Sequence, residues 1–168
     1  GVLVEVMGMV PMGIHVEGNQ LVDDHGVRLR FRGVSKSGTE FMCSENRGIF
    51  DGPTDAASVL ALRSWNINVV RIPLNEDCWL GINGVNPLFS GATYQNAIRE
   101  YVELLGEFGI VAILELHWSA PGDELAMGQQ PMPDQHSLTM WRSVAEAYRN
   151  NTSVIFDIFN EPYPGHNR

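Results

Sequence analysis

The stretch VIFDIFNEP, at residues 154–162, decides how the fold of this sequence is interpreted. Five of its first six residues are apolar, which is typical of a strand buried on both faces of a parallel sheet. Asn160 and Glu161 follow at once, and Pro162 then ends the strand because proline has no N–H to donate. We expect the anion of Glu161 to be poorly solvated at this apolar edge, so that its carboxyl keeps a proton and can serve as a general acid. An isolated Asn-Glu-Pro is also compatible with an ordinary polar turn, so the residues upstream must decide.

Length and composition predict a globular domain. The 168 residues suffice for one domain with a core, and 44% hydrophobic with 18% charged residues argue against a disordered chain. The formal net charge of -9 argues against nucleic acid or an anionic membrane as a partner, because both bind basic faces. The sequence also lacks an apolar run of the ~20 residues that span a bilayer.

The sequence shows no pattern for a bound metal or cofactor. Its His, Cys and carboxylate residues do not cluster at ligand spacing, so we expect neither a metal nor a cofactor. Residues 1–14 are apolar but lack the basic leading region of a signal peptide, and we assign this extension no function. Residues 15–168 are interpreted as one domain.

Two cysteines, Cys43 and Cys78, are spaced for neither a zinc site nor a CxxC redox pair. Each closely follows a predicted strand, which places both at the same end of the sheet. A disulfide and two independent buried thiols are both compatible with the sequence, and the shared location favours the disulfide. Because a disulfide fits a secreted protein, we expect an extracellular location.

A hairpin over residues 14–31 precedes a repeating strand–helix unit. The repeat predicts parallel strands joined by right-handed crossovers. Predicted strands cover residues 29–34, 67–73, 110–118 and 154–159. Predicted helices begin near 53–55, run through 94–108 with a stop at Gly109, and run through 138–148. A long loop at 119–136, rich in Gly and Pro, is expected to shape one side of a cleft.

Two architectures fit this repeat, an open doubly wound sheet and a (β/α)8 barrel. No strand is followed by the GxGxxG or GxxxxGK[ST] pattern of nucleotide-binding sheets. Instead Arg71, His117, Asn160 and Glu161 lie where strands end, and barrel active sites are built at that edge. The sequence therefore predicts an α/β fold of the (β/α)8 TIM-barrel type. Because a whole barrel takes about 250 residues, we expect a half-barrel of about four βα units with an N-terminal β-hairpin.

Three motifs at successive strand ends carry a resemblance to a known family: RIP at 71–73, LELHW at 114–118 and FNEP at 159–162. In this order they resemble glycoside hydrolase family 5, the cellulase-like retaining enzymes. The similarity covers residues 15–168 and includes Gly33-Val34-Ser35, where the family more often has Gly-x-Asn. It implies a β-glucan hydrolase of the cellulase or endoglucanase type, acting on β-linked glucan or oligosaccharide.

The resemblance also implies roles for individual residues. Glu161 would be the catalytic acid/base, and Asn160 would bond the 2-hydroxyl of the sugar. Arg71 would support the catalytic carboxylates electrostatically, and His117 would help line the subsite at the point of cleavage. Taken alone, Arg71 also fits a structural ion pair, and His117 also fits a satisfied core histidine.

Two tryptophans and one further acid complete the candidate site. Trp118 and Trp79 are candidate stacking platforms for sugar rings, although both could instead cover the mouth of the barrel. Glu115 lies where the family often has Asp. Strand alternation places Glu115 on the same side as His117, one layer deeper, so we expect a buried support for Arg71.

A second catalytic carboxylate is not identified. Retaining glycosidases need two carboxyls about 5–5.5 Å apart, and the family's nucleophile is a Glu on the seventh strand. Glu161 alone would protonate a leaving group without forming the glycosyl-enzyme. The site would then need the missing half-barrel or a second copy of the chain. Candidate replacements for the nucleophile are Glu115 of a second copy and the acids Glu40, Glu76, Asp77 and Asp123.

A homodimer would solve a second problem, the open edges of a half-barrel. Unpaired strand edges favour association, and two-fold pairing of two four-stranded halves would close an eight-stranded ring. The partner's third strand would then occupy the seventh position. The alternative is a non-catalytic, truncated half-barrel that binds glucan through Trp79, Trp118 and Arg71 or only self-associates.

Overall fold

A computed structural model of the protein describes residues 13–164, so most of the unassigned extension 1–14 lies outside the described part of the chain. An N-terminal hairpin precedes a four-stranded parallel sheet with helical crossovers. The strands are β1 (His15–Glu17), β2 (Gln20–Val22), β3 (Gly33–Ser35), β4 (Val69–Asn75), β5 (Val111–Trp118) and β6 (Val154–Asp157). The helices are α1 (Ala56–Ser64), α2 (Glu76–Leu80), α3 (Ala92–Glu107) and α4 (Gln135–Tyr148).

The sheet has the order β3-β4-β5-β6, with every neighbouring pair parallel. Strands that follow one another along the chain are thus neighbours in space, as in a (β/α)8 barrel. The register places Pro73 opposite Glu115, and Glu115 opposite Asp157. This arrangement confirms the prediction of a partial barrel with a leading hairpin.

Side-chain capping determines where two of the helices begin. Asp55 accepts a hydrogen bond from the Ser58 N–H at 2.9 Å and starts α1, within the predicted range 53–55. Asp134 and Ser137 form a reciprocal capping box, so α4 begins three residues before its predicted start. The longest helix, α3, has 16 residues. Across residues 13–164, no helix is both long enough and apolar enough to cross a membrane.

Alternation along the strands separates the core from the concave face of the sheet. Val70, Ile72 and Leu74 of β4 are fully buried and belong to the same apolar cluster as side chains of α3 and α4. The residues between them, including Arg71, point to the opposite side. The helices therefore cover one face of the sheet, and the polar residues collect on the other.

The first sheet strand is shorter than predicted, because β3 covers only Gly33–Ser35 rather than 29–34. The preceding backbone bonds elsewhere: the N–H of Leu29 donates to the carbonyl of Leu21 in the hairpin. The Asn68 side chain accepts from the N–H of Arg32 at 2.7 Å and donates to the carbonyl of Arg30 at 2.9 Å. A side chain thus satisfies backbone groups that a neighbouring strand would otherwise pair with.

The last strand is not buried on both faces, so that prediction is wrong. Phe156 is 36% exposed and Ile158 is 62% exposed. Within residues 13–164, β6 pairs with β5 alone, and its other edge is open. Trp141 of α4 packs edge-on against Phe156 with ring centroids 5.6 Å apart, which covers only part of this apolar surface.

The short helix α2 lies where the sequence predicted only a loop. Asn75 caps it by accepting from the N–H of Cys78 at 3.1 Å, and Gly81 ends it with a φ of 69°. Glycine suits that position because left-handed backbone carries no steric cost without a Cβ. The helix brings Cys78 against the segment that follows β3.

Cys43 and Cys78 form a buried disulfide that ties this segment to α2. The two cysteines are 35 residues apart, and loop-closure entropy predicts that losing the bond lowers the free energy of unfolding by about 3–4 kcal/mol. We expect the Cys43→Ser, Cys78→Ser double variant to show this loss in urea unfolding under oxidising conditions. With a thiol reductant, the parent chain should fall to the level of the variant. Equal stability of both proteins without reductant would contradict the prediction.

Candidate active site

Arg71 is the centre of a polar network on the concave face. Its Nη1 lies 3.2 Å from Oε2 of Glu115. Its Nη2 donates to Oδ2 of Asp157 at 3.0 Å and to Oδ1 of Asn160 at 2.9 Å. The guanidinium therefore joins β4 to β5, to β6 and to the segment that follows β6. Because the strands are parallel, these groups meet at the carboxyl edge of the sheet.

Glu115 supports both Arg71 and His117 from below. It is fully buried, and its Oε2 also lies 2.8 Å from Nδ1 of His117. Burial raises the pKa of Glu115, while His117 and Arg71 act in the opposite direction. When His117 is neutral and donates from Nδ1, its Nε2 is left as an acceptor. The structure thus places Glu115 as the buried support that the sequence predicted, and His117 is partly exposed above it.

Asn160 is nearly buried, and both ends of its amide have partners. Its Oδ1 accepts from Arg71, and its Nδ2 donates to Oε1 of Gln129 at 3.0 Å. Sequence reasoning missed both Gln129 and Asp157. Asp157 could have been found from the sequence, because it is a polar residue within an apolar strand and shares the face of Ile155 and Phe159. Gln129 lies in an irregular loop, and no sequence pattern marks it as a site residue.

Glu161 is exposed to solvent, so the expectation of a poorly solvated anion is wrong for the described part of the chain. The cause is the open edge of β6, beyond which no described residue covers the carboxylate. Its backbone is left-handed, with a φ of 41°. Glu161 nevertheless directly follows Asn160, which is held by Arg71.

The two tryptophans differ in burial. Trp118 is partly exposed at the end of β5, with its ring 6.2 Å from that of Phe41, and it remains a candidate platform for a sugar ring. Trp79 is 1% exposed, packs edge-on against Tyr94 and donates from Nε1 to Oγ of Ser143. The prediction that Trp79 binds sugar is therefore wrong, because α2 turns its side chain into the core.

Most of the acids considered as replacement nucleophiles are buried. Glu40 accepts from Oγ of Ser37 and from the N–H of Gly38, both at 2.7 Å. Asp77 is fully buried and accepts from the N–H of Ala126 at 2.8 Å. These carboxylates hold loops in place, so the expectation that they lie at the rim as candidate nucleophiles is wrong, whereas Asp123 is exposed. Among the described residues, no group of three or more His, Cys, Asp or Glu is arranged to hold a metal ion.

Glu76 is a buried acid that predicts a pH-dependent stability. Ser137 donates to its Oε2 at 2.6 Å, and burial raises the pKa of Glu76 to about 8. Between the ordinary glutamate pKa and about 8, the folded chain holds a proton that the unfolded chain has lost. Its free energy of unfolding therefore falls as the pH rises through that window. Urea unfolding at pH 5 and pH 8 should show a smaller fall for Glu76→Gln than for the parent chain.

The exposed Glu107 offers a matched control for this pH experiment. Glu107→Gln should leave the dependence of stability on pH unchanged. A parent chain that loses no more stability than Glu76→Gln between the two pH values would contradict the assignment of a buried, proton-holding carboxyl.

Comparisons with known proteins agree with this geometry. A family model described as Cellulase (glycosyl hydrolase family 5) matches residues 22–168. An endoglucanase of Paenibacillus polymyxa is 24% identical over 89% of this chain and 40% of its own length. Endoglucanase B of Acetivibrio thermocellus is 28% identical over 89% of this chain and 29% of its own length. The chain thus spans well under half the length of these relatives.

Solved structures show the same fold. An endocellulase from Pyrococcus horikoshii, in complex with cellotetraose, superposes with a TM-score of 0.66 at 20% identity. The match covers 92% of this chain and 45% of that one. A β-mannanase from Thermomonospora fusca gives a TM-score of 0.57 at 16% identity, covering 92% of this chain and 43% of that one. The described residues therefore form a partial barrel, about half of the chain found in these structures.

Proposed function

Since the chain belongs to glycosyl hydrolase family 5, we propose that it provides the acid/base half of a β-glucan hydrolase of the endoglucanase type. The observation that carries the proposal is the Arg71 network, which joins Glu115, Asp157 and Asn160 directly beside Glu161. A glucan substrate is supported by the endoglucanase relatives and by the cellotetraose complex of a structural neighbour.

Glu161 acts first as an acid and then as a base. Its carboxyl donates a proton to the glycosidic oxygen while the bond from that oxygen to the anomeric carbon breaks. A second carboxylate forms a bond to the anomeric carbon and retains the glycosyl group. The Glu161 carboxylate then takes a proton from water, whose oxygen attacks the anomeric carbon and releases the second carboxylate.

The neighbouring side chains orient the sugar. Asn160 uses one Nδ2 hydrogen for Gln129, so its second hydrogen is available for the sugar 2-hydroxyl. His117 lines the subsite from β5, and the partly exposed Trp118 provides an apolar face for a ring. Arg71 supplies positive charge near the carboxylates of the site, where it stabilises their anions.

The second carboxylate belongs to the other half of the barrel. It has to lie about 5–5.5 Å from the Glu161 carboxyl for a retaining reaction. Further residues of a longer protein supply it, or a second copy of this chain does so by pairing its open strand edges about a two-fold axis.

Dimerisation of the chain is directly measurable. If a second copy closes the barrel, size-exclusion chromatography with light scattering should give twice the mass of one chain, because β3 and β6 are otherwise left with open edges among residues 13–164. Charged substitutions on the partly buried Ile155 of β6 should then shift the population toward the monomer. A soluble monomer for the unsubstituted chain would contradict the pairing.

A second function, glucan binding without turnover, is favoured by one observation. The acids Glu40, Glu76, Asp77 and Glu115 are all buried, so none of them lies free at the rim as a nucleophile in this half. Release of reducing sugar from cellohexaose, together with calorimetric binding of cellohexaose, separates the two functions when both are measured with the barrel completed, by a second copy or by the other half. Turnover that is lost in Glu161→Gln supports the hydrolase, whereas binding without turnover supports the second function. Neither binding nor turnover would contradict both.

An extracellular location is part of the proposal. The buried disulfide between Cys43 and Cys78 supports it, because such bonds persist in oxidising environments and are rare in the cytosol. Expression into an oxidising compartment should therefore give more folded protein than expression under reducing conditions, measured as soluble yield.

A further inference from the structure

One loop side chain, Gln129, contacts the candidate site at three points. Its Oε1 accepts from Nδ2 of Asn160 at 3.0 Å. Its Nε2 donates to the backbone carbonyl of Asn160 at 3.0 Å and to that of Glu161 at 2.9 Å. A single amide therefore holds the side chain and backbone of Asn160 and the backbone of Glu161, although it lies 31 residues away from Asn160 along the chain.

The chemistry of the partners fixes the orientation of both amides. Arg71 has only donors, so the oxygen of the Asn160 amide must face it. The Nδ2 of Asn160 then faces Gln129. Backbone carbonyls only accept, so Nε2 of Gln129 must face them, and its oxygen is left to accept from Asn160. Rotating either amide by half a turn would place like groups opposite each other at both ends.

The backbone that Gln129 bonds is held in a disfavoured conformation. A φ of 41° is uncommon for a residue with a Cβ, and such a residue persists when its surroundings hold it. The bonds around Glu161 come from neighbouring elements. The N–H of Asn160 donates to the carbonyl of Leu116, and the N–H of Tyr163 donates to that of Pro131, which lies in the same loop as Gln129.

We propose that Gln129 is a positioning residue for Asn160 and Glu161. By bonding the carbonyls of both residues, it directs the Glu161 carboxyl and keeps the free Nδ2 hydrogen of Asn160 turned toward the sugar. The catalytic part of this inference rests on the proposed hydrolase function. The structural part concerns only the bonds of Gln129 and does not depend on turnover.

The structural part is tested by amide hydrogen exchange of the chain. Gln129→Leu keeps a similar volume and removes all three bonds, so exchange at Asn160 and Tyr163 should become about tenfold faster or more. Gln95 provides the matched control, since it also donates to a backbone carbonyl, that of Trp79 at 2.7 Å, but from α3. In Gln95→Leu, the exchange rates at Asn160 and Tyr163 should equal those of the parent after correction for any change in the free energy of global unfolding.

The catalytic part is tested by steady-state hydrolysis of cellohexaose with the barrel completed, by a second copy of the chain or by the other half. Gln129→Leu should lower kcat about 10–100-fold, because a misdirected acid slows the reaction, and should change KM by less than about threefold. Gln129→Glu, which keeps the length but cannot donate when ionised, should show the same loss. Gln95→Leu should retain the parent kcat.

The outcomes separate this inference from the proposed function. The inference would be overturned if both Gln129 variants had the same exchange rate at Asn160 and the same kcat as the parent. A fall in kcat no larger than that of Gln95→Leu would do the same. Absence of turnover in a parent whose barrel is completed, by a second copy or by the other half, would overturn the hydrolase and the catalytic part, while the exchange rates still decide whether Gln129 holds this segment.

Discussion

Replacing Glu161 with glutamine is expected to lower the turnover of cellohexaose by about 10²–10⁴-fold. The amide has nearly the shape of the carboxyl but gives up no proton to the glycosidic oxygen and accepts none from water. Glu161 is exposed, so the substitution leaves no buried group unpaired, and unfolding should change little. The loss should therefore appear in kcat, with cellohexaose still bound.

The leaving group sharpens this test. A dinitrophenolate departs without a proton, so Glu161→Gln should slow the glycosylation step of a dinitrophenyl β-cellobioside far less than that of cellohexaose. Glu107→Gln, which changes an exposed glutamate on α3, is the matched control and should keep full activity. An equal loss with both substrates would argue against Glu161 as the proton donor, and full activity of Glu161→Gln would exclude it.

Replacing Arg71 with methionine should lower the free energy of unfolding by about 3 kcal/mol. The substitution removes the guanidinium that pairs with the fully buried Glu115. It also leaves the neighbouring carboxylates of Glu115 and Asp157 without a positive charge to offset their repulsion. Losing one partner of a buried ion pair costs about 3–5 kcal/mol. Arg71 and Asp157 are partly exposed, which favours the lower end of that range.

The dependence on pH distinguishes this cause from a simple packing defect. Burial already raises the pKa of Glu115, and removing Arg71 raises it further. A protonated Glu115 needs no guanidinium, so urea unfolding should show the penalty of Arg71→Met shrinking as the pH falls. Arg149 pairs with Glu146 at an exposed site, and Arg149→Met should cost less than about 1 kcal/mol at any pH. A penalty for Arg71→Met that is independent of pH would contradict the assignment.

The sequence was sufficient to predict four of the polar side chains that meet at this edge, although it did not identify Asp157 or Gln129. Arg71, Glu115, His117 and Asn160 lie at the ends of strands whose apolar pattern is unambiguous. Once those strands are parallel neighbours, the period of two along β5 puts Glu115 and His117 on one face, and the register places that face beside Arg71. Asn160 lies beyond the end of β6, where the turn after the strand brings its amide to Arg71. Local pattern and global topology agree for Arg71, Glu115 and His117, so the positions of these three residues follow from the sequence alone.

The position of Trp79 could not be obtained in that way. It depends on α2, a helix of five residues that is too short for a periodic apolar pattern. The start and stop signals were present, with Asn75 as cap, acids in the first turn and Gly81 at the end. Without the helix, a tryptophan after a strand suggests a rim residue. With the helix, Trp79 points inward.

The burial of residues 154–158 was also mispredicted, for a different reason. Their composition suits a strand covered on both sides, whereas the described half-barrel leaves Phe156 and Ile158 partly exposed. The apolar composition of a strand reflects the burial of its residues in the complete fold. Gln129 could not be predicted for another reason. For a single polar residue in an irregular loop, no sequence pattern identifies the partner of its side chain.

The Arg71 network has one further consequence. Its members come from β4, β5, β6 and the segment that follows β6, so the side chains that support the proposed acid/base all belong to one half of the barrel. Chimeras that join this segment to complementary halves from different glycanases should therefore exchange chain-length preference and linkage preference while keeping the proposed proton donor unaltered.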